Sequence, residues 1–317
     1  DQTMVVLVCN ENMWRGSKQF CSQLVKRFPS IKTIVLNVNT RRTPIVLGNE
    51  DKVLYGKGFI VDELCGLKFK ISPQSFYQIN HDQCVNLYTK ALSLLNIKGN
   101  ETAIDAYCGI GTIGMILSQK VKQVIGVESN KDAIKDAKNN ARMNQLSNIQ
   151  FVCDDATEFM KKLAKERYKV DVVIMDPPRS GSTKQFMDSI KILNPKQVVY
   201  ISCDPTTQIR DIQYFKKIGY HTHTMHLYDM FPHTRHVESI VLLSHKSPDS
   251  HIDVKVEFGE GEEKVPLDKI AERAKQYQPA PRVTYKMIQE YIEEKYGFKV
   301  HTAYIAEGKR NLGLPMY

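Results

Sequence analysis

The stretch AIDAYCGIGTIG, residues 103–114, decides the fold of this chain. An apolar, strand-like run ends at Asp105, and a glycine-rich turn and a helical pattern follow it. Gly109, Gly111 and Gly114 match the G-x-G-x-x-G pattern, whose glycines permit a tight turn and a close approach of the backbone to a bound nucleotide. The stretch predicts a nucleotide-binding α/β domain and leaves nicotinamide dehydrogenases among the candidate classes.

Acidic residues at two strand ends help to separate these classes. Glu128 ends the next strand, in VIGVES, where a carboxylate accepts hydrogen bonds from the ribose hydroxyls of NAD and of S-adenosylmethionine alike. Asp105 lies where a dehydrogenase normally has a small apolar residue, and its carboxylate suits the cationic amino-acid part of S-adenosylmethionine. The pair favours a methyl-donor site without excluding a dinucleotide site.

The third and fourth predicted strands also end in acidic residues. IQFVCDD ends in Asp154 and Asp155, which are placed to meet the adenine amino group. In DVVIMDPPRSG, residues 171–181, two prolines after Asp176 make a stiff turn that fixes this carboxylate at the edge of the sheet where ligands of such folds bind. Four acidic or glycine-rich strand ends in order predict a methyltransferase fold.

The residue after the Asp-Pro-Pro turn bears on the kind of methyl acceptor. Amino-methyltransferases also carry Asp-Pro-Pro, but there an aromatic residue follows and stacks on the target base. Here Arg179 follows instead. Transfer to an exocyclic amine, on nucleic acid or on protein, is therefore less favoured, although the residues leave it open.

The alternation of elements predicts the fold class and the domain boundaries. Residues 76–246 alternate between strand-like and helical runs, which predicts an α/β, mostly parallel, doubly wound sheet of the Rossmann-like, S-adenosylmethionine-dependent methyltransferase type. The last two strand-like runs, 221–227 and 237–243, lack a helix between them and predict an antiparallel hairpin at one edge. Residues 1–75 hold the short strand-like runs MVVLV, TIVLNV, IVL (45–47), VLYG and FKIS around one helical run, and predict a small α+β subdomain.

A helical extension is predicted over residues 247–317. Helical patterns at 279–297 and 301–313 flank Gly297 and resemble a helix-turn-helix element. Residues 251–317 carry no net charge, so a plain helical hairpin is favoured over a nucleic-acid-binding one, and both stay open.

Composition limits the class of protein and of partner. The formal net charge is +9, and all of this excess lies in residues 1–250, which suits a polyanionic partner. The seven cysteines are scattered singly, without the paired spacing of a zinc or iron–sulfur site. Reduced thiols in a cytoplasmic protein without a metal are expected. No apolar run approaches the roughly 20 residues that span a bilayer, so no membrane association is expected.

The stretch VVYISCDPTT, residues 198–207, places Cys203 at the end of the fifth predicted strand. A free cysteine is usually buried and inert, and the strand-end cysteines Cys9 and Cys153 share this pattern. A reactive role requires a partner. Methylation of carbon 5 of uracil needs a thiolate that adds to carbon 6 and a base that removes the proton from carbon 5. Glu238, in MFPHTRHVES, is a candidate base.

A resemblance to a known family rests on six stretches in this order. The chain resembles the RNA uracil-5-methyltransferases, and within them the bacterial 23S ribosomal RNA branch. Members usually begin with a small β-barrel RNA-binding domain, some with an iron–sulfur cluster, and neither is seen in these residues. The matching stretches are SFYQIN, DAYCGIGTIG, VIGVES, MDPPRSG, YISCDPTT and MFPHTRHVES.

The resemblance implies roles for individual residues. Cys203 is the nucleophile and Glu238 the proton-abstracting base, acting on a uracil flipped out of the RNA. The substrate is 23S ribosomal RNA, with transfer RNA as the alternative, and the enzyme is expected to be a monomer. Residues 1–75 correspond to a central, RNA-contacting subdomain. S-adenosylmethionine is held by Gln78, Tyr107, Gly109, Glu128 and Asp176, with Thr112 and Asp155 as further candidates, and Asp176, Phe76 and His236 are the candidate substrate contacts.

Overall fold

The first part of the chain forms a small sheet and a hairpin. A computed structural model of the protein describes residues 2–12, 14–42, 45–234, 236–245 and 253–257. The small sheet has the order β1-β2-β3, in which β1 and β2 run parallel and β3 is antiparallel to β2. Its elements are β1 (Thr3–Cys9), α1 (Ser17–Arg27), β2 (Ile31–Val38) and β3 (Glu50–Gly56), and the hairpin that follows is β4 (Ile60–Leu64) and β5 (Leu67–Ile71).

Strands and helices then alternate, as the sequence predicts. Among the described residues, eight strands form one large sheet, and no helix there is long and apolar enough to cross a membrane. The elements are α2 (His81–Ser93), β6 (Thr102–Ala106), α3 (Thr112–Ser118), β7 (Gln123–Glu128), α4 (Lys131–Met143), β8 (Ile149–Cys153), α5 (Ala156–Lys165), β9 (Val172–Met175), α6 (Lys184–Leu193), β10 (Gln197–Ser202), α7 (Pro205–Lys217), β11 (Thr224–Tyr228), β12 (Glu238–Ser244) and β13 (Asp253–Glu257).

The large sheet is mostly parallel and has helices on both faces. Its strand order is β13-β11-β12-β10-β9-β6-β7-β8, and β12 lies antiparallel to both of its neighbours. One core packs α2, α3 and α4 on the sheet together with the β4–β5 hairpin, and a second core packs α5, α6 and α7 on the other face. The Rossmann-like methyltransferase fold and the antiparallel pairing of β11 with β12 near one edge are thus confirmed, and β13 lies outside β11 at that edge.

Two elements differ from the sequence prediction. The run IVL at 45–47 is not a strand, and Ile45 and Val46 are 54% and 71% exposed, because the segment leaves the sheet as a loop between β2 and β3. The strand β13 lies inside the segment predicted to be helical, where it extends the sheet by pairing in parallel with β11. The described residues, all before 260, form one compact unit. The predicted helical pair lies outside the described residues, and the boundaries at 75 and 246 stay predictions.

Helix α4 fixes the edge strand β5 through two asparagines one helical turn apart. Asn140 Oδ1 accepts the Lys70 amide hydrogen at 2.7 Å, and Asn144 Oδ1 accepts that of Lys68 at 2.8 Å. Asn144 Nδ2 also donates to the Lys68 carbonyl at 2.7 Å. Side chains at positions i and i+4 lie on one helix face, so these amides satisfy the strand as a partner strand would.

The same helix fixes the segment that follows β5. The buried carboxylate of Asp136 accepts hydrogen bonds from Lys70 Nζ at 2.9 Å, Ser72 Oγ at 2.6 Å and Ser75 Oγ at 2.9 Å. A buried carboxylate is stable when it is paired and hydrogen-bonded, as this one is. The segment 72–80 carries the predicted site residues Phe76 and Gln78. Its first residues are therefore fixed to α4 of the large α/β part.

Candidate active site

The strand register brings the acidic strand ends into one row. Ala106 pairs with Val127 and with Met175, so the next residues of these strands, Tyr107, Glu128 and Asp176, lie level at the carboxyl edge. Parallel strands end at the same edge of a sheet, which is where open α/β sheets bind ligands. Tyr107 has a left-handed backbone with φ +66°, which turns the chain sharply into the glycine-rich turn.

A cleft opens above this row. It encloses about 430 Å³ of empty space with its open mouth included, within the usual range for small-molecule sites. Six of the predicted site residues line it: Phe76, Gln78, Tyr107, Gly109, Thr112 and Asp176.

Asp105 lies at the floor of the cleft under the glycine-rich turn. Its Oδ2 accepts the Gly114 amide hydrogen at 2.8 Å, and a Cβ at Gly114 would meet this oxygen at 2.6 Å. Burial raises the pKa of Asp105 to about 7, the Gly114 amide opposes the shift, and Glu128 adds to it. The third glycine of the motif therefore makes room for a carboxylate and hydrogen-bonds to it.

The carboxylates of Glu128 and Asp155 have different hydrogen-bond partners. Glu128 Oε2 accepts the Gly109 amide hydrogen at 3.2 Å and Oε1 accepts that of Asn130 at 2.8 Å, so the carboxylate is fixed beside the cleft. Asp155 is exposed and caps α5 by accepting the Glu158 amide hydrogen at 3.0 Å. Glu128 is thus oriented towards the glycine-rich turn, whereas one Asp155 oxygen is used by the helix cap.

Cys203 lies in a short connection between β10 and α7. Ser202 Oγ donates to the Asp204 carbonyl at 3.0 Å and accepts the Asp204 amide hydrogen at 3.1 Å, and Asp204 caps α7. The antiparallel register of β10 and β12 pairs Ser202 with Ser239, so Cys203 faces Glu238 at the next position. Side chains that face each other across antiparallel strands lie about 5 Å apart at Cβ, which makes these two residues neighbours.

The electrostatics place Cys203, Glu238, Asp176 and Arg179 in one group. Burial raises the pKa of the Cys203 thiol, Glu238 and Asp176 raise it further, and Arg179 lowers it by a hydrogen bond and by its charge. Burial raises the pKa of Glu238 to about 7, against the Arg179 charge. Burial and the Glu238 charge raise the pKa of Asp176 well above its usual range. A partly buried thiol, a carboxyl whose pKa is about 7 and one cation thus meet beside the cleft.

The loop that carries Arg179 is fixed to α7. Thr207 Oγ1 donates to the Arg179 carbonyl at 3.1 Å, and Arg210 donates to the Ser180 carbonyl at 2.9 Å. Asp211 Oδ2 accepts the Ser182 amide hydrogen at 2.7 Å. Because α7 begins directly after Cys203, one helix positions both the thiol and the cation beside it.

The two other predicted substrate contacts, Phe76 and His236, come from different segments of the chain. Phe76 is 73% exposed on the segment 72–80, at the mouth of the cleft. His236 is half-buried two residues before Glu238, and its ring packs edge-on against Phe231 at a centroid distance of 6.2 Å. Both positions are compatible with contact to a substrate, and their roles stay predictions.

Sequence reasoning missed three residues of the site. In the sequence, Arg179 bears only on the kind of methyl acceptor, because it is not aromatic. Cys84 and Tyr88 of α2 line the cleft, and no sequence motif marks them. Their spacing of four places both on the buried face of α2, and this was the signal available in the sequence. No group of three or more His, Cys, Asp or Glu suited to a metal ion was found among the residues that the structure describes.

Comparison with known proteins identifies the family. Residues 45–246 match the family described as tRNA (Uracil-5-)-methyltransferase, which covers more than half of the chain. The chain belongs to this family. An uncharacterized RNA methyltransferase of Caldanaerobacter subterraneus subsp. tengcongensis is 42% identical over 76% of this chain and 54% of its own length. One from Staphylococcus aureus is 41% identical over 78% and 54%. The chain thus spans about half the length of these curated relatives.

Solved structures of the uracil-5-methyltransferase family and of more distant proteins share the fold. The Pyrococcus abyssi tRNA (uracil-54, C5)-methyltransferase, solved with S-adenosyl-L-homocysteine, is 30% identical with a TM-score of 0.63, over 77% of this chain and 56% of that one. Trm5b from the same organism is 12% identical with a TM-score of 0.51, over 77% and 73%, and this second likeness concerns the fold alone.

The residues of this family member fit S-adenosylmethionine. Gln78 is buried and lines the cleft, and its Oε1 has no hydrogen-bond partner among the described residues. Burying a hydrogen-bond acceptor without a partner costs free energy. This oxygen can therefore accept a hydrogen bond from a ligand, for example from an ammonium group. With the carboxyls of Asp105 and Glu128, the cleft offers acceptors for a cationic molecule that also carries ribose hydroxyls.

Proposed function

We propose that this protein transfers a methyl group from S-adenosylmethionine to carbon 5 of a uridine in RNA, most directly in 23S ribosomal RNA. The observation that carries the proposal is the meeting of Cys203, Glu238 and Asp176, with one cation from Arg179, beside a cleft with acidic groups on its floor and rim. Membership of the uracil-5-methyltransferase family supports the same reaction. The reduced, scattered cysteines favour a cytoplasmic enzyme, and a monomer remains the expected state.

In this proposal the cleft holds the methyl donor. Gln78 Oε1 and the Asp105 carboxylate accept from the cationic amino-acid part, and Glu128 accepts from the ribose hydroxyls, with Tyr107, Gly109 and Thr112 along the cleft wall. Asp155, at the exposed end of β8, remains the candidate for the adenine side. When bound, S-adenosylmethionine supplies an electrophilic methyl group.

Cys203 makes carbon 5 of the uracil nucleophilic. Its thiolate forms a bond to carbon 6, and the electron pair of the double bond between carbons 5 and 6 moves towards the oxygen on carbon 4 as an enolate. Arg179 favours the thiolate because its guanidinium hydrogen-bonds to the thiol and offsets the neighbouring carboxyls. Asp176, whose pKa burial raises well above its usual range, can donate a hydrogen bond to the base when it is protonated.

Glu238 restores the aromatic ring. After methyl transfer, carbon 5 bears both a methyl group and a proton, and the Glu238 carboxylate takes the proton. The electron pair of that bond re-forms the double bond and expels the Cys203 thiolate. A pKa of about 7 suits this task, because a base works best when its pKa lies near the operating pH.

A tritium-release assay tests the proposed reaction. The protein is incubated with S-adenosylmethionine and RNA tritiated at carbon 5 of uridine, and release of tritium to water in step with methyl incorporation is expected. Methyl incorporation without tritium release would point instead to an amino-methyltransferase. A preference for NAD over S-adenosylmethionine in a thermal-shift comparison would indicate a dehydrogenase.

The choice between ribosomal and transfer RNA has its own test. The 23S assignment rests on the resemblance of MFPHTRHVES to the ribosomal branch, whereas the 30% identical solved structure is named a tRNA enzyme. Methylation of purified 23S ribosomal RNA and of total transfer RNA, both lacking 5-methyluridine, is compared under the same conditions. A faster reaction with transfer RNA would replace the ribosomal assignment and leave the chemistry unchanged.

Changing Gly114 to alanine should weaken S-adenosylmethionine binding. The new Cβ would lie 2.6 Å from Asp105 Oδ2, so the carboxylate must move from its place under the glycine-rich turn. Overpacking of this kind costs about 1–3 kcal/mol, so we expect a roughly tenfold or greater rise in Kd by titration calorimetry. Ser118→Ala, in the same helix, is the control. An unchanged Kd for G114A would show that Asp105 does not support the cofactor.

Changing Arg179 to alanine should reduce the reactivity of Cys203. Loss of the guanidinium removes the group that lowers the pKa of both the thiol and Glu238, so both pKa values rise. The pH profile of Cys203 alkylation by iodoacetamide, read by peptide mass spectrometry, should shift to higher pH by about one unit, with partial rescue by R179K. Arg167→Ala is the control, because Arg167 precedes β9 and Arg179 follows it, so the two lie at opposite edges of the sheet. Coincident profiles for R179A and the wild type would contradict this role.

A further inference from the structure

A buried polar cluster joins the strand ends that carry Cys203 and Glu238. Ser239 follows Glu238, and its Oγ lies 2.8 Å from Gln208 Oε1 and 3.1 Å from the Ser202 carbonyl oxygen. A hydroxyl has one proton to donate, so these two acceptors share it. Ser239 and Gln208 are 0% exposed and Ser202 is 2% exposed, so water does not compete for these hydrogen bonds. One hydroxyl thus links the residue after the proposed base to the residue before the proposed nucleophile.

Gln208 extends this cluster to α7. Its Nε2 donates to the Tyr200 carbonyl in β10 at 3.0 Å, while its Oε1 accepts from Ser239 in β12. One amide side chain therefore binds two strands to the helix that carries it. Because α7 begins at Pro205, two residues after Cys203, the strand end, the connection and the helix are fixed as one unit.

The cluster lies on the opposite side of β12 from the Glu238 side chain. Successive side chains of a strand point to opposite faces of the sheet. Along β12, Ile240 belongs to the core that contains α2, and Val241 belongs to the core that contains α7. By the same alternation Glu238 points to the α2 side, and Ser239 points to α7, where it meets Gln208. Ser239 and Gln208 therefore act on the reacting groups only through the backbone.

Of the proposed steps, only the last requires the nucleophile and the base to hold one ring at the same time. Addition needs the Cys203 thiolate, and methyl transfer needs the bound methyl donor. Proton abstraction takes place while carbon 6 is bonded to Cys203, so the Glu238 carboxylate must lie within hydrogen-bond reach of the proton on carbon 5. Misplacement of a reacting group by about 1 Å can cost roughly 100-fold in rate, so the spacing of these two strand ends decides the speed of this step.

We propose that Ser239 and Gln208 are positioning residues that set the separation of Cys203 and Glu238 for proton abstraction. The step itself keeps its balance: Glu238 takes the proton from carbon 5, the electron pair of that bond forms the double bond to carbon 6, and the Cys203 thiolate leaves. This inference rests on the proposed function, because it takes the covalent route to be the reaction. Loss of the cluster leaves addition and methyl transfer in place and slows the release of the proton and of the product.

A double-label assay under single-turnover conditions tests the inference. The protein, in excess, is mixed with RNA tritiated at carbon 5 of uridine and with S-adenosylmethionine radiolabelled at the methyl carbon, and both tritium release and methyl incorporation are followed. In the wild type the two signals run in step. In S239A, and in Q208M, which removes the amide at nearly the same volume, tritium release should lag behind methyl incorporation by roughly tenfold or more in rate. The lag should appear on a denaturing gel as methylated RNA bound to protein.

Ser189→Ala is the matched control. Ser189 is 3% exposed, and its Oγ donates to the Gln185 carbonyl at 2.9 Å within α6. S189A therefore also removes one buried hydroxyl, but from a helix that carries neither reacting residue. Its two signals should stay in step.

The outcomes separate a positioning role from a loss of folded protein and from a failure of the proposed reaction. A lag for S239A and Q208M, with the signals in step for S189A, supports the inference. Signals in step for S239A and Q208M overturn it, however slow they are, because fewer folded molecules slow both signals equally. An equal lag for S189A also overturns it. Methyl incorporation without tritium release by the wild type would overturn the proposed reaction itself.

Discussion

Changing Cys203 to alanine is expected to abolish methyl transfer while leaving S-adenosylmethionine binding intact. The thiol lies beside the cleft rather than in its lining, so the loss concerns the chemical step and not the cofactor. Removal of a covalent nucleophile costs roughly 10⁴-fold or more in rate. The measurement is the rate of methyl incorporation into RNA at saturating S-adenosylmethionine, with a parallel calorimetric Kd for the cofactor.

A matched control for this variant is available in the chain. Cys9 also ends a strand, but β1 belongs to the small sheet, away from the acidic row. Cys9→Ala should methylate RNA at the wild-type rate. If C203A retained more than a few per cent of the wild-type rate, the covalent route would be wrong, whatever the identity of the RNA.

Changing Glu238 to glutamine is expected to trap the protein on its RNA. The amide cannot accept the proton from carbon 5, so the methylated adduct with Cys203 accumulates, and turnover falls by about 10²–10⁴-fold. The adduct appears on a denaturing gel as protein that migrates with RNA only when S-adenosylmethionine is present. Glu50→Gln, a carboxyl at the start of β3 in the small sheet, serves as the control and should turn over normally.

The same variant, E238Q, is expected to stabilise the folded protein at alkaline pH, although it lowers the turnover. A pKa of about 7 in the folded protein, against an ordinary value of 4.5, means that the folded state binds the Glu238 proton more tightly than the unfolded state. The stability from this group is present in full below the unfolded pKa and is lost as pH rises through about 7, a cost of about 3 kcal/mol at alkaline pH. E238Q should therefore unfold at higher urea than the wild type near pH 8, and the difference should shrink near pH 5. No pH-dependent difference would show that Glu238 ionises freely in the folded protein.

The fold and the cofactor side of the site follow from local sequence patterns. Asp105, Glu128 and Asp176 each end an apolar strand-like run, and parallel strands bring such ends together without any knowledge of the loops. The glycines around residue 111 fix the turn because Gly111 adopts a φ of +84°, which favours glycine. These features depend on neighbours within a few residues, so the sequence predicts them well.

The proposed catalytic pair and the cation beside it depend on long-range register. Cys203 and Glu238 are neighbours because β12 inserts between β10 and β11 with Ser202 opposite Ser239, and no local pattern fixes that pairing. The reaction chemistry makes Glu238 a candidate partner of Cys203, and only the resemblance to a family assigns the pair from the sequence. The role of Arg179 depends on three contacts from α7, which no spacing rule reveals.

The small α+β part was predicted less well for the same reason. IVL at 45–47 has strand-like composition, yet the hydrogen bonds of Asn39 hold it in a loop with its apolar side chains exposed. The strand β4 (Ile60–Leu64) was missed because IVDEL mixes apolar and acidic residues, and pairing with β5 overrides that composition. Tertiary contacts outweigh propensity where elements are short.

The most direct test of the covalent mechanism is mass spectrometry of the protein after reaction with 5-fluorouridine RNA and S-adenosylmethionine. Fluorine at carbon 5 cannot be removed as a proton, so Glu238 cannot complete the reaction and the adduct persists. We expect one RNA-linked peptide, containing Cys203, and its absence when S-adenosylmethionine is omitted or when the protein carries C203A. An adduct on another cysteine, or complete methylation of ordinary RNA without any adduct to the fluorinated RNA, would contradict the mechanism.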